Sequence, residues 1–305
     1  MQNELTHTKN VKTFSLIETL NFWLTNYIPR AASTRLMRRL SKIENPLFVK
    51  VALKLWQFAS DDMRLHEANQ QHFKSLHECF TRTLRPETRP FPEDKTLITS
   101  PCDAVIGAHG KLKNLELLQI KGMPYSLNEL TQGVIDLAPY RDGHYITLRL
   151  KSSMYHHMHA PIDCDTSSIH YISGDTWNVN PPTLRRIEKL FCKNERAVIE
   201  LTPEDTHARI ALVPIAAILV SSMRFSHLDF PLALQCKGAN NIPFERHFTR
   251  GERLGNFEHG STIVMLTSKH FTFMPDMEEG QIIRMGQALM RPNHFHAQPS
   301  TGQMS

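Results

Sequence analysis

Two hydrophobic patterns divide the chain. From residue 13 to about residue 60, apolar residues recur every three or four positions. Beyond about residue 90 they fall in short continuous or alternating runs. The first spacing is that of helices with one apolar face, the second that of strands. "TFSLIETLNFWLTNYI" (13–28) places Leu16, Leu20, Trp23, Leu24 and Tyr27 for a helix that Pro29 stops. "STRLMRRLSKI" (33–43) follows with basic residues on one face, and Asn45-Pro46 reads as an N-cap with proline in the first helical position. That pair opens "LFVKVALKLWQFA" (47–59), an apolar helix interrupted by Lys50 and Lys54. The strand candidates are "HYITLRL" (144–150), "SIHYIS" (168–173), "AVIEL" (197–201), "ARIALVPIAAILVSSM" (208–223) and "STIVMLT" (261–267), separated by Pro, Gly, Asn and Asp turns. The pattern predicts an α+β protein with a helical N-terminal part and a β-rich remainder. It shows no repeats and no heptads, and the polar tail 291–305 is expected to fray.

Composition narrows this picture. With 305 residues, 41% of them hydrophobic, the chain can form one large domain or two small ones. Mean hydropathy is −0.34 and no apolar run reaches 18 residues, so no membrane-spanning helix is expected by length. The start, "MQNELTHTKN", has no basic region followed by an apolar stretch, so no signal peptide is expected. Five scattered cysteines without a C-x-x-C pair suggest free thiols in a reducing compartment.

Charge adds more. Residues 1–60 carry nine Lys or Arg against three acids, whereas the rest of the chain is close to neutral. A basic face confined to one end suits an anionic surface, either lipid or nucleic acid. Helices with Trp, Phe and Leu on one side and Lys or Arg on the other suit a membrane interface. Ordinary core helices with solvated lysines show the same pattern.

Candidate chemistry sits in two places. Histidine is abundant, and the densest cluster is "MYHHMHAP" (154–161). His156, His157 and His159 could bind a metal, sit on the surface or supply a general base. No Cys/His pair at ligand spacing accompanies them, and "HFH" (294–296) adds none, so no metal is expected. The other place is "NFEHGSTIVML" (256–266), where a polar half meets a buried strand. No G-x-S-x-G nucleophile elbow occurs. Ser261 instead follows Gly260, and a serine hydroxyl can attack the carbonyl before it, moving the chain from amide to ester. Glycine offers that attack the least steric resistance. A base must take the hydroxyl proton, and a carboxylate must hold the base in one tautomer.

These residues carry a resemblance. "GERLGNFEHGSTIVML" resembles the processing site of phosphatidylserine decarboxylases, G-x-x-x-G-x-F-x-L-G-S-T. "FTRTLRPETRPF" is similar to their F-x-R-x-L-x-x-x-x-R-P element, "SPCDAVI" to S-P-A-D-G-x-I, and "YHHMHAP" to Y-H-R-x-H-x-P. "GDTWNVN", "LFCKNERAVIEL", "IKGMPYSLNEL" and "IRMGQAL" also fit, in register from about residue 73 to 290.

The resemblance implies a self-processing, pyruvoyl-dependent proenzyme. Asp103, His159 and Ser261 would act as a triad on the bond between Gly260 and Ser261. Residues 1–260 would become the β chain and 261–305 the α chain, the two remaining associated. Ser261 would become a covalent pyruvoyl cofactor, which condenses with the substrate's amine and accepts the electrons left by CO2. His156 would return the proton. The implied fold is a barrel–sandwich hybrid in residues 66–305, with residues 1–65 associating with a membrane. The implied reaction is decarboxylation of phosphatidylserine to phosphatidylethanolamine at the cytoplasmic side of the inner membrane, by a peripheral protein that could form homo-oligomers and has no nucleic-acid role. Alternatives are a pyruvoyl enzyme for another amino acid derivative, or an uncleaved binding relative. Ala104, Met154, His157 and His259 depart from the family pattern, and Met154 and His157 lie where headgroup recognition is expected.

Overall fold

The computed structural model describes residues 30–120, 123–204, 207–218, 223–230, 232, 241–258 and 261–293, together with 19, 22 and 23. The expected helix 13–28 and the tail from 294 therefore lie almost wholly outside the described residues, as do His259 and Gly260.

The N-terminal pattern gives two helices, Arg30–Leu40 and Pro46–Ala59. The second starts as expected: the Asn45 side chain accepts the Phe48 N–H at 3.0 Å and Pro46 occupies the first turn, where a missing N–H costs nothing. Its apolar face is not core. Leu47, Val51, Leu55 and Phe58 recur at helical spacing and are exposed, Phe58 by 93%, while Val49 alone is buried. Trp56 is half-buried and stacks on Phe80 of the short helix Leu76–Phe80, with ring centroids 5.9 Å apart. A His77 N–H to Ser41 carbonyl bond of 2.8 Å further ties that short helix to the N-terminal pair.

The β-rich part is organised by one eight-stranded antiparallel sheet. Its order is Asn241–Phe248, Cys164–Ile172, Arg196–Pro203, Ile210–Ala216, Ser261–Thr267, His144–Leu150, Ala104–Lys111 and Ile282–Ile283. "HYITLRL" and "STIVMLT" form strands with the bounds expected, "AVIEL" lies inside a longer one, and "SIHYIS" ends the strand Cys164–Ile172 with Ser173 just beyond it. Every residue of Ser261–Thr267 is buried, because a strand sits on each side and side chains cover both faces. The edge strand Asn241–Phe248 is not visible in the sequence pattern: it is mostly exposed, and Pro243 interrupts any β-branched run.

The sheet is open. Among the described residues its two outer strands do not pair with one another, so the expected barrel closure is corrected to an open sheet flanked by two three-stranded sheets and a hairpin. One of the three-stranded sheets, Met223–Phe225, Arg253–Phe257 and His157–His159, carries the histidine motif beside the chain that leads into Ser261. No helix among the described residues is long and apolar enough to cross a membrane.

Candidate active site

Ser261 opens the central strand, with its Cα paired to Leu150 on one side and Ala216 on the other. It is fully buried, and its Oγ has no hydrogen-bond partner among the described residues. A buried hydroxyl without a partner is costly and rare, which marks it for attention. The same residue lines a cavity of about 690 Å³ whose walls include Trp56, Phe80, Leu150, Ser153 and Asn180. The cavity thus lies between the sheet and the N-terminal helices.

The strand before Ser261 is anchored on both sides. The Phe257 N–H donates to the His156 carbonyl at 3.0 Å. Glu258 is 1% exposed, accepts from Arg224 Nε at 3.2 Å and lies 3.9 Å from His77 Nε2. The histidine motif and the approach to Ser261 are therefore parts of one local structure.

Within that motif the three histidines differ. The His156 Nδ1–H donates to the Met154 carbonyl at 2.8 Å, and the ring packs on Phe80 with centroids 4.0 Å apart. Since Phe80 also lines the cavity, His156 stands behind its wall. The next two positions enter a strand, so His157 and His159 share a face and their rings are 6.4 Å apart. His157 stacks on Tyr155 at 4.6 Å and donates from Nε2 to the Thr81 carbonyl at 3.0 Å. Burial pushes its pKa down to about 3.

His159 has both ring nitrogens engaged. Nδ1 lies 2.8 Å from the Gly251 carbonyl oxygen, which can only accept, so Nδ1 carries the proton. Nε2 then accepts from the Tyr155 hydroxyl at 3.0 Å. Burial lowers the imidazole pKa to about 4 despite the Gly251 bond and the negative field of Asp103, and Arg253 adds to the lowering. Gly251 has φ of +85°, and a Cβ there would stand 2.5 Å from the Phe91 ring, so the turn that offers this carbonyl requires glycine.

Asp103 is 1% exposed and accepts four N–H bonds. Oδ1 takes Arg89 Nε at 2.9 Å and the Met285 N–H at 2.9 Å. Oδ2 takes Arg89 Nη2 at 2.5 Å and Arg284 Nη1 at 3.1 Å. Arg89 also donates to Glu67 at 2.9 Å, and Glu67 is paired with Arg64. Burial by itself would raise the Glu67 pKa; the two guanidiniums outweigh it and lower it.

Backbone bonds link the Asp103 loop to His159 and tie His156 to the chain leading into Ser261, and no hydrogen bond among the described residues joins Asp103, His159 and Ser261 as a triad. The loop holding Asp103 touches the base's strand through the His159 N–H to Pro101 carbonyl bond of 2.8 Å. Its carboxylate, however, is committed to arginines and a backbone N–H, and His159 is oriented by Gly251 and Tyr155 instead. Arg89, Arg284, Glu67 and Tyr155 carry no role that the sequence pattern reveals. Three of the four stand in quoted motifs, "FTRTLRPETRPF", "IRMGQAL" and "YHHMHAP", so the signal was present without its meaning. Arg82 of the first motif is a structural staple: it is buried, and its guanidinium donates to the carbonyls of Cys79, Met63 and Ser153 at 2.9 to 3.0 Å.

Comparison with known proteins shows the family. Residues 76–291 match the phosphatidylserine decarboxylase family. A phosphatidylserine decarboxylase proenzyme of Halorhodospira halophila is 36% identical over 72% of this chain and 75% of its own. Proenzymes of the same name from Vibrio cholerae and Brevibacillus brevis are 30% and 29% identical, covering 88% and 87% of this chain and 95% and 96% of theirs. A match across more than two thirds of the sequence, spanning the histidine motif, Asp103 and the strand that Ser261 opens, means that the chain belongs to the phosphatidylserine decarboxylase family.

Proposed function

We infer that this chain is a phosphatidylserine decarboxylase proenzyme that cleaves itself between Gly260 and Ser261. The observation that carries the reading is the Ser261 hydroxyl: buried, without a partner among the described residues, and in a residue that lines a cavity large enough for a phospholipid headgroup. Ser261 attacks the Gly260 carbonyl, and His159 takes the hydroxyl proton on Nε2, the nitrogen its Gly251 bond leaves bare of hydrogen. Asp103 acts on His159 through its field and not through a bond. The residues present suit a pyruvoyl group at position 261, because Ser261 opens the central strand and lines the cavity. Such a group would capture the substrate's amine and draw off the electrons released with CO2. His156, held by Met154 and Phe80 beside that cavity, is the candidate proton donor.

The membrane part of the reading rests on the helix Pro46–Ala59. Its exposed Leu47, Val51, Leu55 and Phe58 form an apolar stripe on a segment rich in Lys and Arg, and Trp56 and Ala59 of the same helix border the cavity. A lipid whose acyl chains stay in the bilayer could thus present its headgroup from that side. Residues 1–65 would serve this docking and 66–305 the chemistry, on the cytoplasmic side of the inner membrane.

Intact-mass measurement of the purified protein tests the processing. The expected result is two species, one of them a fragment beginning at position 261, roughly 5 kDa, with a ketone in place of an amino terminus. A single unmodified chain from protein that releases CO2 from phosphatidylserine vesicles would overturn it. His156→Ala is expected to cleave normally and lose about 10²- to 10⁴-fold in turnover, read as CO2 release.

A further inference from the structure

We propose that Tyr155 is a positioning residue of the processing base: its hydroxyl holds the Nε2 side of His159 and keeps the ring neutral, while the Gly251 carbonyl at Nδ1 fills the role of the carboxylate in a Ser-His-Asp triad. The inference rests on the reading of His159 as that base. A base needs one nitrogen pinned and the other presented as a lone pair. Here the pin is the Gly251 carbonyl at 2.8 Å, and the lone pair on Nε2 accepts the Tyr155 hydroxyl at 3.0 Å. Asp103 cannot supply the pin at the same time, since its two oxygens already receive Arg89, Arg284 and the Met285 N–H. Position 154, where the family usually has an aspartate, is a methionine that cannot do so either.

Tyr155 is itself rigid. It is 5% exposed, and its ring lies flat on His157 at 4.6 Å with an interplanar angle of 7°. Its hydroxyl keeps its proton, because burial raises the phenol pKa. The geometry therefore has one sense: tyrosine donates and histidine accepts. A donor on Nε2 stabilises the neutral imidazole over the imidazolium and so keeps the base unprotonated. The charged or titratable groups acting on His159 are Arg253, paired with it across the strands, Asp103, Arg89 and the stacked His157. During reaction the tyrosine O–H turns about its C–O bond, the Nε2 lone pair receives the Ser261 proton, and the serine oxygen bonds to the carbonyl carbon, so atoms and charge balance.

The test is Tyr155→Phe in the full chain, with cleavage followed after cell-free synthesis by transfer into buffers from acid to alkaline pH. The ring and its stacking remain; one hydroxyl is lost. The expected result is cleavage slower by at least about tenfold at neutral pH. The acid limb of the rate should also move up by roughly half to one pH unit, because a neutral histidine that loses a donor protonates more readily. A lowered melting temperature with an unchanged limb would make Tyr155 merely structural and would overturn the proposal. So would wild-type rate and wild-type limb. His159→Ala is run alongside. If it stays intact while Tyr155→Phe behaves as wild type, the positioning role fails alone. If His159→Ala cleaves at the normal rate, the reading of His159 as the base fails, and the positioning role with it.

Discussion

Asp103 and Ser261 are equally withdrawn from water and opposite in how their oxygens are met. Asp103 has four N–H donors on two oxygens, three of them from guanidinium groups. Ser261 has no partner among the described residues. A buried carboxylate without partners would neutralise or force the site apart, so its donors are the condition of its being there. A buried hydroxyl costs far less to leave unmet, and one left so is available to react. The difference teaches that the two residues work in different ways: one is a fastener and the other a reagent. Two of the four donors on Asp103 come from Arg284 and Met285, which follow the cleavage site, while Asp103 and Arg89 precede it. If the chain is cut at Gly260, Asp103 joins the two products.

Replacing each residue should break the comparison differently. Ser261→Ala is expected to abolish cleavage and leave folding stability within about 0.5 kcal/mol of the parent, since no bond is lost. A gel and a denaturant melt check both halves; marked destabilisation would show that the hydroxyl has a structural partner. Asp103→Ala should cost about 3–5 kcal/mol, because it takes the main partner from the buried Arg89 guanidinium and leaves the half-buried Arg284 beside it uncompensated. Urea unfolding of the cleavage-blocked Ser261→Ala background isolates that cost from processing, and a loss under about 1 kcal/mol would refute the fastener.

A third buried group lies between the extremes. Glu195 is 1% exposed, one carboxyl oxygen is without a partner among the described residues, and burial pushes its pKa up to about 7. Its folded pKa lies above its unfolded one, so its contribution is fully present below the unfolded value. It is lost as pH rises through about 7, a total of roughly 3 kcal/mol. Glu195→Gln should flatten that part of the stability–pH curve; an unchanged slope would mean the carboxyl is met in solution. The smallest effect is expected from Arg284→Ala, which removes one donor from a side chain 26% exposed. A loss of about 1–2 kcal/mol is expected, with faster separation of the two fragments after cleavage, read by size-exclusion chromatography.

The helix Pro46–Ala59 and the strands His144–Leu150 and Ser261–Thr267 were legible residue by residue, because a proline cap and a run of β-branched residues are local signals. The edge strand Asn241–Phe248 was not, since half-solvated strands lack such a run. The residue types for the chemistry were legible too, in Gly260-Ser261, the histidine motif and Asp103. Their bonding was not. Whether the apolar stripe of Leu47, Val51, Leu55 and Phe58 faces core or solvent depends on what packs against it, and the fold leaves it exposed. Which partner reaches Asp103 depends on residues up to 182 positions away, and His159 answers to a backbone carbonyl 92 positions on. Sequence by itself therefore determined the parts, through local propensity and reactive groups. Only the tertiary structure decided who holds whom, because a hydrogen bond acts over about 3 Å of space whatever the separation along the chain.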